Sequence, residues 1–166
     1  MLPSERTEMV KVRVLFVCYG NICRSPIAEF VFREMVRSEG LSDVIEDASC
    51  ATSAEHIGDP VDPRSRDVLA RHGISCAGKT GRRLTAADYT HYDYIIGMDS
   101  MNLRYIRTLM PAPECCTVGK LLDYADGGDI ADPYYTGDFD RAYVDISRGC
   151  RGLLDHIKRS DLGVER

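Results

Sequence analysis

The stretch Val14-Leu15-Phe16-Val17-Cys18-Tyr19-Gly20-Asn21-Ile22-Cys23-Arg24-Ser25-Pro26 constrains the fold of this chain more than any other. An apolar run of strand length ends at Cys18, a short turn carries Gly20 and Asn21, and Ser25-Pro26 is a helix-start signal. The predicted unit is a strand, a loop and a helix N-terminus. A loop that closes on a helix N-terminus gathers unpaired backbone N–H groups around one point, and the helix dipole adds positive potential there. Such a loop is an oxyanion cradle. This one carries a thiol, Cys18, at its start and a guanidinium, Arg24, six residues later. The N–H dipoles, the helix N-terminus and the arginine all favour the thiolate, so Cys18 is expected to be ionised at working pH and to act as a nucleophile. With a phosphate monoester in the cradle, the amides from Tyr19 to Ser25 and the fork of Arg24 hold its equatorial oxygens and leave phosphorus facing sulfur. The alternative is an inert cysteine buried at a strand end. Cys-x5-Arg-Ser between a strand and Ser-Pro argues against it, because several independent requirements coincide.

At 166 residues, 44% of them hydrophobic, the chain is long enough for one domain with a full core and too short for two. A formal charge of −5 argues against a nucleic-acid partner held by phosphate contacts. Neither a long apolar run nor a signal-peptide pattern is present, so no membrane partner is expected and the protein reads as cytoplasmic. The seven cysteines include no Cys-x2-Cys pair, which suggests neither a disulfide scaffold nor a zinc site. No metal and no cofactor are implied.

Residues 1–10 read as a polar tail, residues 11–160 as the domain and residues 161–166 as a second tail. Within the domain, a first strand over 11–17 leads to a helix from Pro26 to near Glu39, with Gly40 as its stop. Val44 to Cys50 reads as a second strand, and strand, helix, strand is a right-handed crossover in a parallel sheet. Asp62 and Pro63 start a helix that Gly73 stops, and His72 is a helix-end residue that packs locally. Gly78 to Arg83 is a basic, glycine-rich turn, and Thr85 with Asp88 forms a capping-box-like start. Tyr94 to Met98 is a third strand, 100–110 a helix ended by Pro111, and Thr117 to Leu122 a weaker fourth strand. Phe139, Ala142, Tyr143, Ile146, Cys150, Leu153 and Ile157 mark a long final helix. This alternation is an α/β fold, a three-layer doubly wound sandwich whose ligand site lies beyond the carboxyl ends of the strands.

The phosphate loop Cys18 to Pro26 resembles that of the low-molecular-weight protein tyrosine phosphatases at every position but Tyr19, which is variable there. Further matches follow in order: Ser49 to Ser53 as Ser-Cys-Ala-Thr-Ser, Arg71-His72-Gly73-Ile74, Asp93-Tyr94-Ile95-Ile96 leading to Met98-Asp99, and Asp132-Pro133-Tyr134-Tyr135. The resemblance covers about residues 10–157. It implies a four-stranded parallel sheet in the order 2-1-3-4 and hydrolysis of phosphotyrosine in proteins, and of aryl phosphates, through a phosphocysteine. A phosphotyrosine-containing protein is the partner implied, and the protein itself reads as a monomer.

Chemistry adds a requirement: the departing phenolate needs a proton, so a carboxylic acid is expected near that oxygen. Asp132 is the candidate, as general acid and then general base. An Asp-Pro pair alone reads as a turn or cap, and it is the adjacent tyrosines and the resemblance that favour catalysis; Asp129 is expected to be solvated. By position, Tyr19, Gly20, Asn21, Ile22, Cys23 and Ser25 line the anion, with Ser25 donating to the Cys18 sulfur and Asn21 strained and bonded to Ser49. Asp99 anchors Arg24 or serves only as a helix N-cap, and Tyr134 is a pocket wall. Two departures bear on substrate choice: Glu55, where many relatives carry a large aromatic, and Lys79 in the basic turn, near a usual histidine. Glu55 is expected to repel acidic peptides, and Tyr19 to supply an aromatic rim.

Three alternatives differ in chemistry. An arsenate reductase on this scaffold needs two further cysteines on one segment, and Cys76 has no close partner there. Protein-arginine phosphatases of this type tend to carry Thr where Ile22 stands. A phosphate-binding module without turnover has no use for an intact Cys18, Arg24 and Asp132. Cys23, five residues from Cys18, is expected to act as a resolving thiol, making the protein redox-regulated.

Overall fold

The computed structural model describes residues 9–111 and 113–164. Most of the expected N-terminal tail, residues 1–8, and residues 165 and 166 of the C-terminal one lie outside the described residues. In chain order the elements are β1 (Val12–Cys18), α1 (Arg24–Ser38), β2 (Ile45–Ala51), α2 (Pro63–Arg71), α3 (Asp88–His91), β3 (Tyr94–Gly97), α4 (Ser100–Leu109), β4 (Thr117–Lys120), a 3-10 turn (Leu121–Tyr124), α5 (Pro133–Thr136) and α6 (Phe139–Ser160). The four strands are all parallel in the order β2-β1-β3-β4. Register aligns Cys18 with Ala51 and Val17 with Gly97, so the ends of β1, β2 and β3 form one rim.

Strand periodicity explains the two cores. Val12, Val14, Phe16 and Cys18 of β1, with Tyr94 and Ile96 of β3, face α1 and α6, whereas Leu15, Val17 and Ile95 face the other way with Ile106 of α4. Phe16 and Phe32 meet edge to face at 5.4 Å in the larger core. Each fully buried Phe, Leu or Ile there contributes roughly 1.5–3 kcal/mol. The final helix packs closely because Gly152 faces Tyr124: a Cβ at residue 152 would sit 1.8 Å from the Tyr124 carbonyl oxygen.

Helix starts follow their caps. Asp62 accepts from Arg64 N at 2.9 Å before Pro63, and Asp138 accepts from Arg141 N at 2.9 Å. Helix α1 differs: its N-cap is Cys23, and no side chain caps it. Its first amides are thus left to the loop.

One expectation needs correction: the fourth strand stops at Lys120 rather than Leu122. Asp123 Oδ2 accepts from Lys120 N at 2.9 Å and curls the chain into the 3-10 turn, whose Leu121 and Leu122 enter the core. Beyond α6, Asp161 accepts from the Tyr94 hydroxyl at 2.6 Å and Leu162 packs against the larger core, so the chain stays docked past residue 160.

Candidate active site

Strand β1 delivers Cys18 to the carboxyl rim of the sheet, and the loop 18–24 wraps back to the uncapped start of α1. Asn21 makes this possible by adopting φ +59°, the left-handed region, as the sole non-glycine among the described residues with positive φ. Gly20 serves close approach: a Cβ there would lie 2.9 Å from the His56 ring. The resulting turn aims three donors at sulfur. Asn21 N lies 3.3 Å and Ser25 N 3.4 Å from Cys18 Sγ, and Ser25 Oγ lies 3.0 Å from it. Because Asn21 Nδ2 already donates to Ser25 Oγ at 2.8 Å, the hydroxyl's own proton is left to donate, and its acceptors are Cys18 Sγ at 3.0 Å and, farther off, the Cys50 carbonyl oxygen at 3.4 Å.

Behind the loop lies a buried polar network. Asn21 Nδ2 also donates to Ser49 Oγ at 2.9 Å, and Asn21 Oδ1 accepts from Arg82 N at 3.2 Å. Ser49 Oγ donates to Glu29 Oε1 at 2.6 Å, and Glu29 pairs with Arg33 and, at 3.2 Å, with Lys79. Lys79 donates to Ser49 O at 2.8 Å, so its ammonium sits on the far side of the loop from the pocket. It holds the strained turn through Ser49 and is not among the residues that line the cavity. Burial of a charge is tolerated here because every member has a partner.

Arg24 is 2% exposed. Its Nη1 donates to Asp99 Oδ2 at 2.7 Å and to Ile130 O at 2.8 Å, and its Nη2 to Asp132 Oδ2 at 3.3 Å. Burial alone would lower its pKa, but negative Cys18, Asp132 and Asp99 outweigh burial and hold it above the ordinary arginine value. Its Nε is buried with no partner among the described residues, a donor suited to an oxyanion in the loop. Asp99 takes both of its expected parts, since Oδ1 accepts from Asn102 N at 2.8 Å as the cap of α4 while Oδ2 holds Arg24. Asp132 caps α5 through Tyr134 N at 3.1 Å, and its other oxygen faces Arg24.

Cys18, Tyr19, Gly20, Ile22 and Cys23 line one side of a cavity of about 160 Å³, with Glu55, His56, Asp132, Tyr134 and Tyr135 around the rest. Asn21, Ser25 and Ser49 support the floor from behind, and Asp99 supports it through Arg24. The Tyr19 hydroxyl donates to the Glu55 carboxylate, tying the phosphate loop to the segment after β2. Burial, reinforced by Asp62 and Cys18, pushes the Cys23 thiol up to about 12. Asp129 is paired rather than merely solvated, accepting from Lys120 at 2.9 Å and Ser100 at 3.0 Å, which hold its carboxyl below the usual value.

Sequence reasoning missed Glu29, His56, Arg82 and Tyr135. Glu29 lies four residues after Ser25 on α1, hence on the same helix face, and that spacing was the available sign. Tyr135 adjoins Tyr134 and His56 adjoins Glu55. Arg82 carried no sign beyond its charge, and is fixed by a two-point pair with Asp88 at 3.1 Å to each oxygen.

A family model described as low molecular weight phosphotyrosine protein phosphatase matches residues 13–162. The chain belongs to that family. Among its relatives, the low molecular weight protein-tyrosine-phosphatase YfkJ of Bacillus subtilis is 39% identical over 151 residues, 89% of this chain and 97% of YfkJ. The human low molecular weight phosphotyrosine protein phosphatase is 40% identical over 154 residues, 89% of this chain and 97% of its own. The crystal structure of YfkJ superposes with a TM-score of 0.86 over 89% of this chain and 95% of that one. That of DARP, titled a drosophila arginine phosphatase, does so with 0.81 at 33% identity, over 89% and 99%. The sheet order and the phosphate loop expected from sequence are thus those of this phosphatase family.

Proposed function

We propose that the chain hydrolyses phosphotyrosine in protein substrates, with Cys18 as nucleophile, Arg24 as phosphate ligand and Asp132 as general acid and base. The observation that carries this reading is the convergence on one cavity of Cys18 Sγ under three donors and of Asp132, held 3.3 Å from the buried Arg24. Loop amides and the Arg24 fork bind the equatorial oxygens, and sulfur attacks phosphorus in line as the P–O bond to the aryl group breaks. Asp132 gives its proton to the departing phenolate. In the second step Asp132 takes a proton from water, water oxygen attacks phosphorus, and the S–P bond breaks to return a thiolate stabilised by the Ser25 hydroxyl. Tyr134 walls the aryl ring.

The enzyme is read as a cytoplasmic monomer, as the sequence suggests, and no helix of the described residues is long and apolar enough to cross a membrane. The likeness to a structure titled an arginine phosphatase makes phosphoarginine the control that matters. Release of phosphate from matched phosphotyrosine, phosphoserine and phosphoarginine peptides tests the substrate, and phosphotyrosine should exceed both others. Asp132→Asn tests the proton donor: it should lose about 10²–10⁴-fold with a tyrosine leaving group and far less with an activated aryl phosphate. Equal losses on both would remove Asp132 from that role.

A further inference from the structure

The cavity is electrostatically divided. Its floor is built for an anion: the loop amides, the uncapped start of α1 and the Arg24 guanidinium. Its rim is the reverse. Glu55 stands exposed at the mouth, and its partner there is the neutral Tyr19 hydroxyl. No lysine, arginine or histidine of the described residues lies within ion-pair distance of it. The basic side chains nearby already have partners. His56 is bonded to Asp59 at 2.9 Å, and Arg64, 5.8 Å above the Tyr134 ring, is held by both oxygens of Asp62 at 3.1 and 3.0 Å. The remaining carboxylate of the cavity, Asp132, faces inward to Arg24.

A phosphotyrosine that seats its phosphate on the floor must pass its peptide backbone over this rim. The residues flanking the tyrosine then lie near an uncompensated negative charge, on a chain whose formal charge is −5. Tyr19, 46% exposed, fixes that charge in place, so it is not a freely rotating surface glutamate. From the pairing of Tyr19 with Glu55 we infer that this enzyme selects phosphotyrosine sites flanked by lysine or arginine and discriminates against acidic ones, with Glu55 the residue that reads the flank and Tyr19 the residue that positions it. The inference rests on the phosphotyrosine reading above and deepens it.

The test uses the full chain and three peptides that share a central phosphotyrosine and carry Lys/Arg, Ala or Asp/Glu on both sides, with kcat/KM as the readout. At ionic strength near 0.02 M the basic peptide should exceed the acidic one roughly 3- to 10-fold, the size of attraction plus repulsion at an exposed site, and 0.5 M salt should compress the ratio toward one. Glu55→Gln should cut the ratio by at least half, Tyr19→Phe should cut it part-way, and Glu55→Lys should invert it. Because the comparison is between peptides within each variant, a general loss of activity cancels. A ratio near one in the native enzyme, or one that Glu55→Gln and Glu55→Lys leave unchanged, overturns the inference while phosphotyrosine turnover stands. Absence of turnover with all three peptides overturns the phosphotyrosine reading and this inference with it.

Discussion

The two ends of the parallel sheet treat polar groups differently. At the carboxyl end Asn21, Arg24, Ser25 and Ser49 are nearly or wholly buried, and their bonds run between side chains, up to 108 residues apart in sequence, around one point in front of Cys18. At the amino end the polar contacts are few and local in effect: Asp93 Oδ2 accepts from Arg13 N at 2.8 Å, and the Tyr94 hydroxyl ties down Asp161. Burying polar groups is unfavourable unless each is satisfied. The fold accepts that penalty where the satisfied groups shape an anion site, and at the other end uses single bonds to fasten the edges of the domain. A change at the reacting atom of the carboxyl end, the Cys18 sulfur, should therefore alter rate with little loss of stability, and changes at the amino end the reverse.

The largest effect should come from Cys18→Ser. Turnover should fall about 10⁴-fold or more, as removal of a nucleophile typically does, while calorimetric binding of phosphate or vanadate persists and Tm stays within about 2 °C. Retained turnover would place the chemistry elsewhere.

Cys23 provides a second probe of the same end. Peroxide should oxidise the Cys18 thiolate to a sulfenic acid, releasing hydroxide, and the Cys23 thiol should then displace water to give a Cys18–Cys23 disulfide. Because burial holds the Cys23 pKa up at about 12, the second step should be slow below that pH and quicken as pH rises toward it. Cys23→Ser should keep most activity yet lose recovery with dithiothreitol after oxidation. Full thiol rescue of that variant, or a mapped disulfide from Cys18 to any other cysteine, refutes the pairing.

At the amino end, Tyr94→Phe removes the bond to Asp161 and should lower stability by about 1–2 kcal/mol, or roughly 3–6 °C in Tm. Its kcat/KM should remain within twofold. A parallel fall in turnover would show that the two ends are coupled.

The last effect appears only as pH is varied, and concerns Asp47, midway along β2. Burial pushes its carboxyl up to about 8, against the pull of Arg33 at 3.0 Å, and its Oδ2 has no partner among the described residues. The folded state then keeps a proton that the unfolded chain has released above about pH 4, so this group's contribution to stability is full below pH 4 and declines as pH rises toward 8. Asp47→Asn lacks that decline. Relative to the native protein it should gain about 1 kcal/mol for each pH unit from pH 5 toward pH 8, or about 3–4 kcal/mol across that range, measured by urea unfolding. A constant difference across that range would show that Asp47 is ionised throughout.

What sequence could reveal divides along the same line. β1, its loop and α1 were legible because an apolar run, Cys-x5-Arg and Ser-Pro each carry a local physical meaning, and strand order came with the family resemblance. Asp132 was legible only through its neighbours, since Asp-Pro by itself also describes the cap that this residue does form. The part Lys79 plays was not legible, because the basic turn gives no hint that its side chain folds behind the loop toward Glu29. The Tyr19–Glu55 contact joins residues 36 apart on two loops, where no periodicity operates. The early end of β4 depends on one bond from Lys120 N to Asp123, which competes with continued pairing and wins because Leu121 and Leu122 gain a core.

Arg24 lies near the start of the chain, yet its partners Asp99, Ile130 and Asp132 lie 75, 106 and 108 residues downstream. During synthesis the thiol and its loop leave the ribosome long before the carboxylates that orient the guanidinium and supply the proton. A nascent or prematurely terminated chain ending after β3 should therefore be catalytically silent, so that phosphate release reports a finished translation product. Competence arrives with the last third of the polypeptide, although nearly all of the recognisable motif is encoded in its first sixth.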